Sequence, residues 1–183
     1  LFEGLKDYPK NMDGRFYTGK LKNEEIIFQG DGINGLLVVN LPAPEIKDAK
    51  CLVLSNTCDL DLANSRFFPS QIVYAPIFDL EKYQSRLENI PGYSSEKITS
   101  HLAAVRKQEI TQIFYLPKLG DSIKESIVFL DRINNCPNNS VNRKSLPSQR
   151  IFSLSDYGFC IFLLKLSIHF SRIRDNVDRN SFN

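Results

Sequence analysis

The ten residues Lys50-Cys-Leu-Val-Leu-Ser-Asn-Thr-Cys-Asp59 decide the reading of this chain. Cys51 to Leu54 is a short apolar strand candidate. It runs directly into the polar cluster Ser55, Asn56, Thr57, Cys58 and Asp59. Reactive side chains massed at the end of a buried strand are where β-barrel and α/β folds place their sites.

Working outward, Gly14 to Tyr17, Glu25 to Gln29, Gly35 to Leu41, Gln71 to Ile77, Ile113 to Leu116 and Ser126 to Ile133 are further strand candidates. Gly30-Asp-Gly32 signals a turn, and Pro42-Ala-Pro44, Pro76 and Pro117 end strands. Glu45 to Lys50, Asp59 to Pro69 and Asn134 to Gln149 read as loops. Ser94 or Ser95 is placed to cap a helix between Pro91 and about Gln112, with Ile98, Leu102 and Val105 at helical spacing. Ser153 or Ser155 caps a terminal helix reaching about Arg174, followed by a polar tail. Short strands followed by one apolar helix predict an α+β fold. Its core is a small, strongly bent antiparallel sheet or barrel with an inserted helix and a C-terminal helix packed on it.

The 183 residues suit one domain, with a helical insertion at about 79–116. Apolar residues make up 42% and charged residues 24%, with 13 Phe and 7 Tyr, which excludes disorder over most of the length. The net charge of +2 selects no partner. Residues 143–183 hold seven Lys or Arg against three Asp, a mildly basic end compatible with a phosphate-bearing partner. The four cysteines show no C-x-x-C pair, so they predict no zinc finger and point to a reducing, cytoplasmic setting. Cys51 and Cys160 read as small core residues. The N-terminus lacks a secretory apolar segment, and the Leu start suggests a piece of a longer protein. Phe159 to Phe170 is too short to span a bilayer and carries Lys165 and His169, so no membrane association is expected. No motif implies a cofactor.

The order of Gly35–Pro42, Lys50–Ser55, Ile72–Ile77, Ser126–Ile133 and the helix from Leu154 resembles the MazF/PemK family of toxin endoribonucleases. The likeness covers roughly two thirds of the chain. It implies an SH3-like barrel, a prokaryotic toxin–antitoxin or phage-defence setting and RNA as partner. A protein partner (antitoxin-like, or a larger defence complex) and a homodimer are its other implications. Two positions depart from the pattern. Lys50-Cys51 stands where the family has its catalytic arginine followed by proline, and Phe78 where it has a hydroxyl residue. Lysine is a point charge and cannot fork onto a phosphate. The alternative is therefore a non-catalytic interaction module that kept the barrel and lost the chemistry.

The candidate catalytic residues are Lys50, Ser55, Asp59 and Arg172. Lys50 and Arg172 would offset developing phosphate charge, and Asp59 would accept the proton of the attacking hydroxyl. Cys58 with His169, oriented by Asp59, outlines a second arrangement of the nucleophile–base kind. The structural alternative makes Cys58 and Asp59 turn-capping residues, with Asp59 clasped by Arg172. Asp59 with Asp61 could face a hard cation, and a Cys58/His169 zinc site would lack two ligands, so no metal is assigned. Lys165, His169 and Arg172 share one helical stripe and, with Arg143 and Lys144, form the candidate nucleic-acid-binding set. A solvated face is the ordinary reading of that stripe.

Overall fold

The computed structural model describes residues 16–171 except 41, 43, 65 and 66. Its strands are β1 (Tyr17–Thr18), β2 (Asp31–Asn40), β3 (Glu45–Val53), β4 (Gln71–Asp79), β5 (Ile113–Leu116), β6 (Ser126–Phe129), β7 (Asn134–Pro137) and β8 (Arg150–Leu154). The α-helices are α1 (Thr57–Leu60), α2 (Leu80–Glu88), α3 (Ser95–Arg106), α4 (Leu146–Gln149) and α5 (Asp156–Ser171). All pairings are antiparallel, in the order β1-β8-β2-β3-β4-β6-β5, with β7 also on β4. The α+β class, the bent antiparallel sheet, the helical insertion and the C-terminal helix all stand.

The sheet is not closed by a ladder. Side chains join its two end strands instead. The Tyr17 hydroxyl donates to the Pro117 carbonyl oxygen just beyond β5, at 2.7 Å. The Phe16 ring lies 5.9 Å from that of Phe114. A second seam forms where β2 leaves β8. Tyr74 Oη donates to Leu37 O at 2.5 Å, and Val39 N donates to Asn134 Oδ1 at 2.8 Å. Both edges are thereby blunted without strand pairing.

The Lys50–Asp59 stretch holds this arrangement because its strand is buried on both faces. Successive side chains of a strand point to opposite sides. Leu52 and Leu54 enter one core with Ala75, Phe114, Leu116, Val128, Phe152 and Phe162. Cys51 and Val53 enter a second with Ile33, Val38, Leu60, Ile72 and Tyr74. The third core lies between α2–α3 and the outer face of β5–β6, formed by Leu80, Leu87, Ile98, Leu102, Val105, Ile113 and Ile127. Each fully buried aliphatic or aromatic side chain contributes about 1.5–3 kcal/mol. Burial pushes the Cys51 thiol up to about 12, with Cys136 adding to the effect, so it is an inert core group.

Several elements differ from the sequence expectation, for physical reasons. Glu45–Ala49, read as loop, is strand, because it pairs in register with Leu36–Asn40 in a projecting hairpin anchored by Leu36 and Val38 in the second core. Glu25–Gln29, read as strand, is irregular and is held by Arg150 instead. β8 has no apolar alternation in sequence because Arg150 and Ser153 point into the core, where Asp31 pairs with the guanidinium and accepts from the hydroxyl. The insertion contains α2 as well as the expected α3. Asp79 caps α2, its carboxylate accepting from Glu81 N, and Ser94 caps α3, accepting from Lys97 N. Ser155, not Ser153, caps α5, accepting from Gly158 N at 3.2 Å. Cys160, expected inside, is exposed.

Gly158 fixes the approach of α5 to β1. A Cβ at this position would lie 2.3 Å from Phe16 O. Gly32 plays the same part between β2 and β8, where a Cβ would meet the Phe152 ring at 2.3 Å.

Candidate functional site

The polar cluster after Leu54 is first a device for ending a strand. Leu54 N and Ser55 N both donate to Val73 O, at 2.8 and 3.2 Å. Ser55 Oγ then accepts from Val73 N at 2.7 Å and donates to Gln71 O at 3.2 Å. Asn56 Oδ1 caps α1 by accepting from Cys58 N at 2.9 Å. Thr57 Oγ1 accepts from Gln29 N at 3.0 Å. Leu60 anchors α1 in the second core. This geometry uses Ser55 as a splice between strands. Cys58 and Asp59 stay exposed on α1, and Asp59 lines a shallow surface depression with Ser55, Phe68, Ser70 and Gln71.

Lys50 points elsewhere. Its ammonium donates to Ser122 O at 3.2 Å. Ser122 lines a cleft of about 350 Å³ between β1, β8 and the turn after β5. Thr18, Lys22, Gly120 and Ser153 also line it, and its lining includes no carboxylate. Lys50 therefore bonds a residue that lines one surface feature while Asp59 lines another, and the two linings share no residue. Cys58 sits on the helix anchored in the second core, whereas His169 lies on α5 over the first, its ring against Phe170 at 4.8 Å. Among the described residues no group of three or more His, Cys, Asp or Glu could hold a metal ion.

The basic candidates also separate. Arg172 lies outside the described residues, so its pairing with Asp59 does too. Lys165, read as part of a solvent-facing stripe, is instead buried, 1% exposed. Its ammonium donates to Gln108 O at 3.0 Å and to Ile110 O. Burial pulls its pKa down to about 8. It is a tie between α5 and the end of α3. Gln108, at φ 61°, turns the chain there. Its amide bonds both backbone groups of Tyr115, covering the outer edge of β5. Arg143 is half-buried, donating to Leu60 O at 3.3 Å and to Asn138 Oδ1, and desolvation lowers its pKa. Lys144 is exposed beside it.

The buried pair Asp31–Arg150 was not legible in sequence. Arg150 Nε donates to Asp31 Oδ2 at 3.0 Å, with the two side chains 0% and 1% exposed. The rest of its guanidinium donates to the carbonyls of Leu21, Lys22, Glu24 and Ile26. Arg150 thus fastens the loop that carries Lys22 into the cleft. Burial raises the Asp31 carboxyl above its usual range, while Ser153, Phe28 N–H and Arg150 pull it back. Lys22 had no signal of its own in the sequence. Phe67-Phe68 had one, since adjacent large aromatics inside a polar loop have no local core to enter. They are 95% and 76% exposed.

No protein-family model and no curated protein matches the chain. No helix among the described residues is long and apolar enough to cross a membrane.

Proposed function

We propose that this chain is a divergent MazF/PemK-like domain that binds nucleic acid through its phosphates and does not cut it. One observation carries the reading. Lys50, at the position the resemblance gives to the ribonuclease's basic residue, bonds Ser122 at the rim of a cleft whose lining includes Lys22 and no carboxylate. Two ammonium groups beside hydroxyl and glycine-backbone donors suit a sugar–phosphate backbone. Cleavage requires a proton acceptor within reach of the attacking hydroxyl. Asp59 lines a separate depression, and Ser55 is spent on Val73 and Gln71. A prokaryotic toxin- or defence-associated setting follows from the resemblance, and a cytoplasmic one from four unpaired cysteines.

The test uses labelled mixed RNA and DNA, with and without Mg²⁺, resolved on a gel and titrated in parallel by anisotropy. Binding that weakens as salt rises, without new products, is the expected result, with Lys22→Ala and Lys50→Ala each weakening it. Cleavage abolished by Lys50→Ala would overturn the non-cutting part. Absence of any binding would overturn the whole.

A protein-interaction module is the second reading, favoured by the projecting hairpin. Val39 and Ile46 are cross-strand partners on its outer face and Leu37 follows on the same side, at 41%, 66% and 56% exposure. An Ile46→Lys variant that loses a self-associated form seen in the wild type by sedimentation would support this reading, and a strictly monomeric wild type counts against self-association.

A further inference from the structure

The exposed Phe67-Phe68 pair and the basic 138–145 loop are remote in sequence and joined in space. Asn138 N donates to Ser70 O at 3.0 Å, and Asn138 Nδ2 to Ser70 Oγ at 2.9 Å and to Leu60 O at 3.0 Å. Arg143 Nη2 meets the same Leu60 carbonyl at 3.3 Å. These bonds hold both ends of the segment from Leu60 to Ser70 against the loop that presents Lys144. The two rings stand edge to face, 5.0 Å apart. Phe68 borders the depression whose wall includes Asp59, Ser70 and Gln71.

Aromatic rings this exposed have no role in a core, and they bring no charge of their own. Rings beside cations are the device by which single strands are held, with bases stacked and phosphates neutralised. Asp59 lines the depression, and a carboxylate has several acceptor sites, so it suits the amino edge of a base such as cytosine. The sequence offers no interleaving of aromatic and basic residues; here the bonds from Asn138 and Arg143 tie the segment that carries the rings to the loop that presents Lys144.

Resting on the reading that the chain binds nucleic acid, we infer that Phe67 and Phe68 form a stacking platform for unpaired bases of single-stranded RNA, with Asp59 reading an exocyclic amine and Lys144 meeting the adjoining phosphate. The platform is a second contact area whose residues are not among those lining the Lys22 cleft.

The full chain would be titrated with labelled ten-nucleotide oligomers of cytosine, of uracil and of abasic sugar–phosphate. The expected result is a loss of about tenfold for Phe67→Ala/Phe68→Ala on the base-bearing strands, with none on the abasic strand. Its salt dependence stays that of the wild type, whereas Lys144→Ala flattens the slope by about 0.7. Asp59→Ala removes a preference for cytosine over uracil. Unchanged affinity of the aromatic double variant, alongside weakening by Lys22→Ala, would overturn the platform and leave the cleft reading in place. A wild type that binds none of the three oligomers overturns both. Loss of self-association or of liposome binding in the double variant, without loss of RNA affinity, assigns the rings to a protein or membrane surface and overturns the platform.

Discussion

Replacing Arg150 by methionine removes the one guanidinium that holds the loop before β2. Arg150 is 5% exposed and Asp31 0%, so the change strands a carboxylate away from water. Breaking a buried ion pair from one side costs about 3–5 kcal/mol. The four carbonyls it releases lie on a loop with exposed residues and can turn to water, so they add little to that figure. Against a typical total of roughly 5–15 kcal/mol, the variant is marginal, and urea unfolding is best followed in the cold. The pH dependence has a definite sign. Burial already raises the Asp31 carboxyl, and losing Arg150 raises it further. A carboxyl with a raised folded pKa stabilises below its unfolded value and loses that contribution as pH rises through the folded value. The gap between wild type and Arg150→Met therefore narrows as pH falls toward about 4. Adding Asp31→Asn removes the stranded charge and restores most of the loss at neutral pH, giving a coupling of about 2 kcal/mol or more in the double-mutant cycle. A single-variant cost below about 1 kcal/mol, or a double variant no better than the single, would refute the buried-pair argument.

Two further perturbations probe other joints. Lys165 has its pKa pulled down to about 8 in the folded chain, against about 10.4 when unfolded. The unfolded state binds the extra proton between those values. Wild-type stability should therefore rise by about 3 kcal/mol across that interval. Lys165→Met should lack this rise, and parallel pH profiles for the two proteins in chemical denaturation would contradict the burial. Gly158→Ala inside a helix would ordinarily stabilise by about 0.5–1 kcal/mol. Here the Cβ meets Phe16 O, so a loss of about 1–3 kcal/mol in thermal unfolding is expected, and a gain would show that the α5–β1 approach is looser.

The parts of the fold that announce themselves in sequence are those whose burial and pattern agree. Cys51–Leu54, Gln71–Ile77 and Ile113–Leu116 are apolar and β-prone; the first two form the centre of the sheet and the third its buried end strand. Ser94 and Ser155, each as one of two alternatives, were legible as caps because a hydroxyl before an apolar periodic run has a specific use. What failed was local pattern overridden by distant partners. Arg150 and Ser153 look like surface residues until Asp31, more than a hundred residues earlier, pairs with one and accepts a hydrogen bond from the other. Lys165 looks solvent-facing by its spacing, yet α5 is apolar nearly all round. Its apolar faces do not all enter the core, and Leu163 and Phe170 stay exposed at 40% and 59% while the lysine stem turns inward. For the site, the sequence located Lys50 and Asp59 and implied that they act together. The strand between them ends in a splice that sends their side chains to separate features. Lys22 could not be found because its position depends on Arg150 gripping four carbonyls.

Backbone amide shift mapping of the intact chain, on addition of a short single-stranded RNA, tests the central claim most directly. Binding at the cleft predicts the largest changes over Thr18 to Lys22, at Lys50 and over Leu119 to Ser122, fading as salt is raised. Shifts confined to the 36–49 hairpin, or none at saturating RNA, would contradict it.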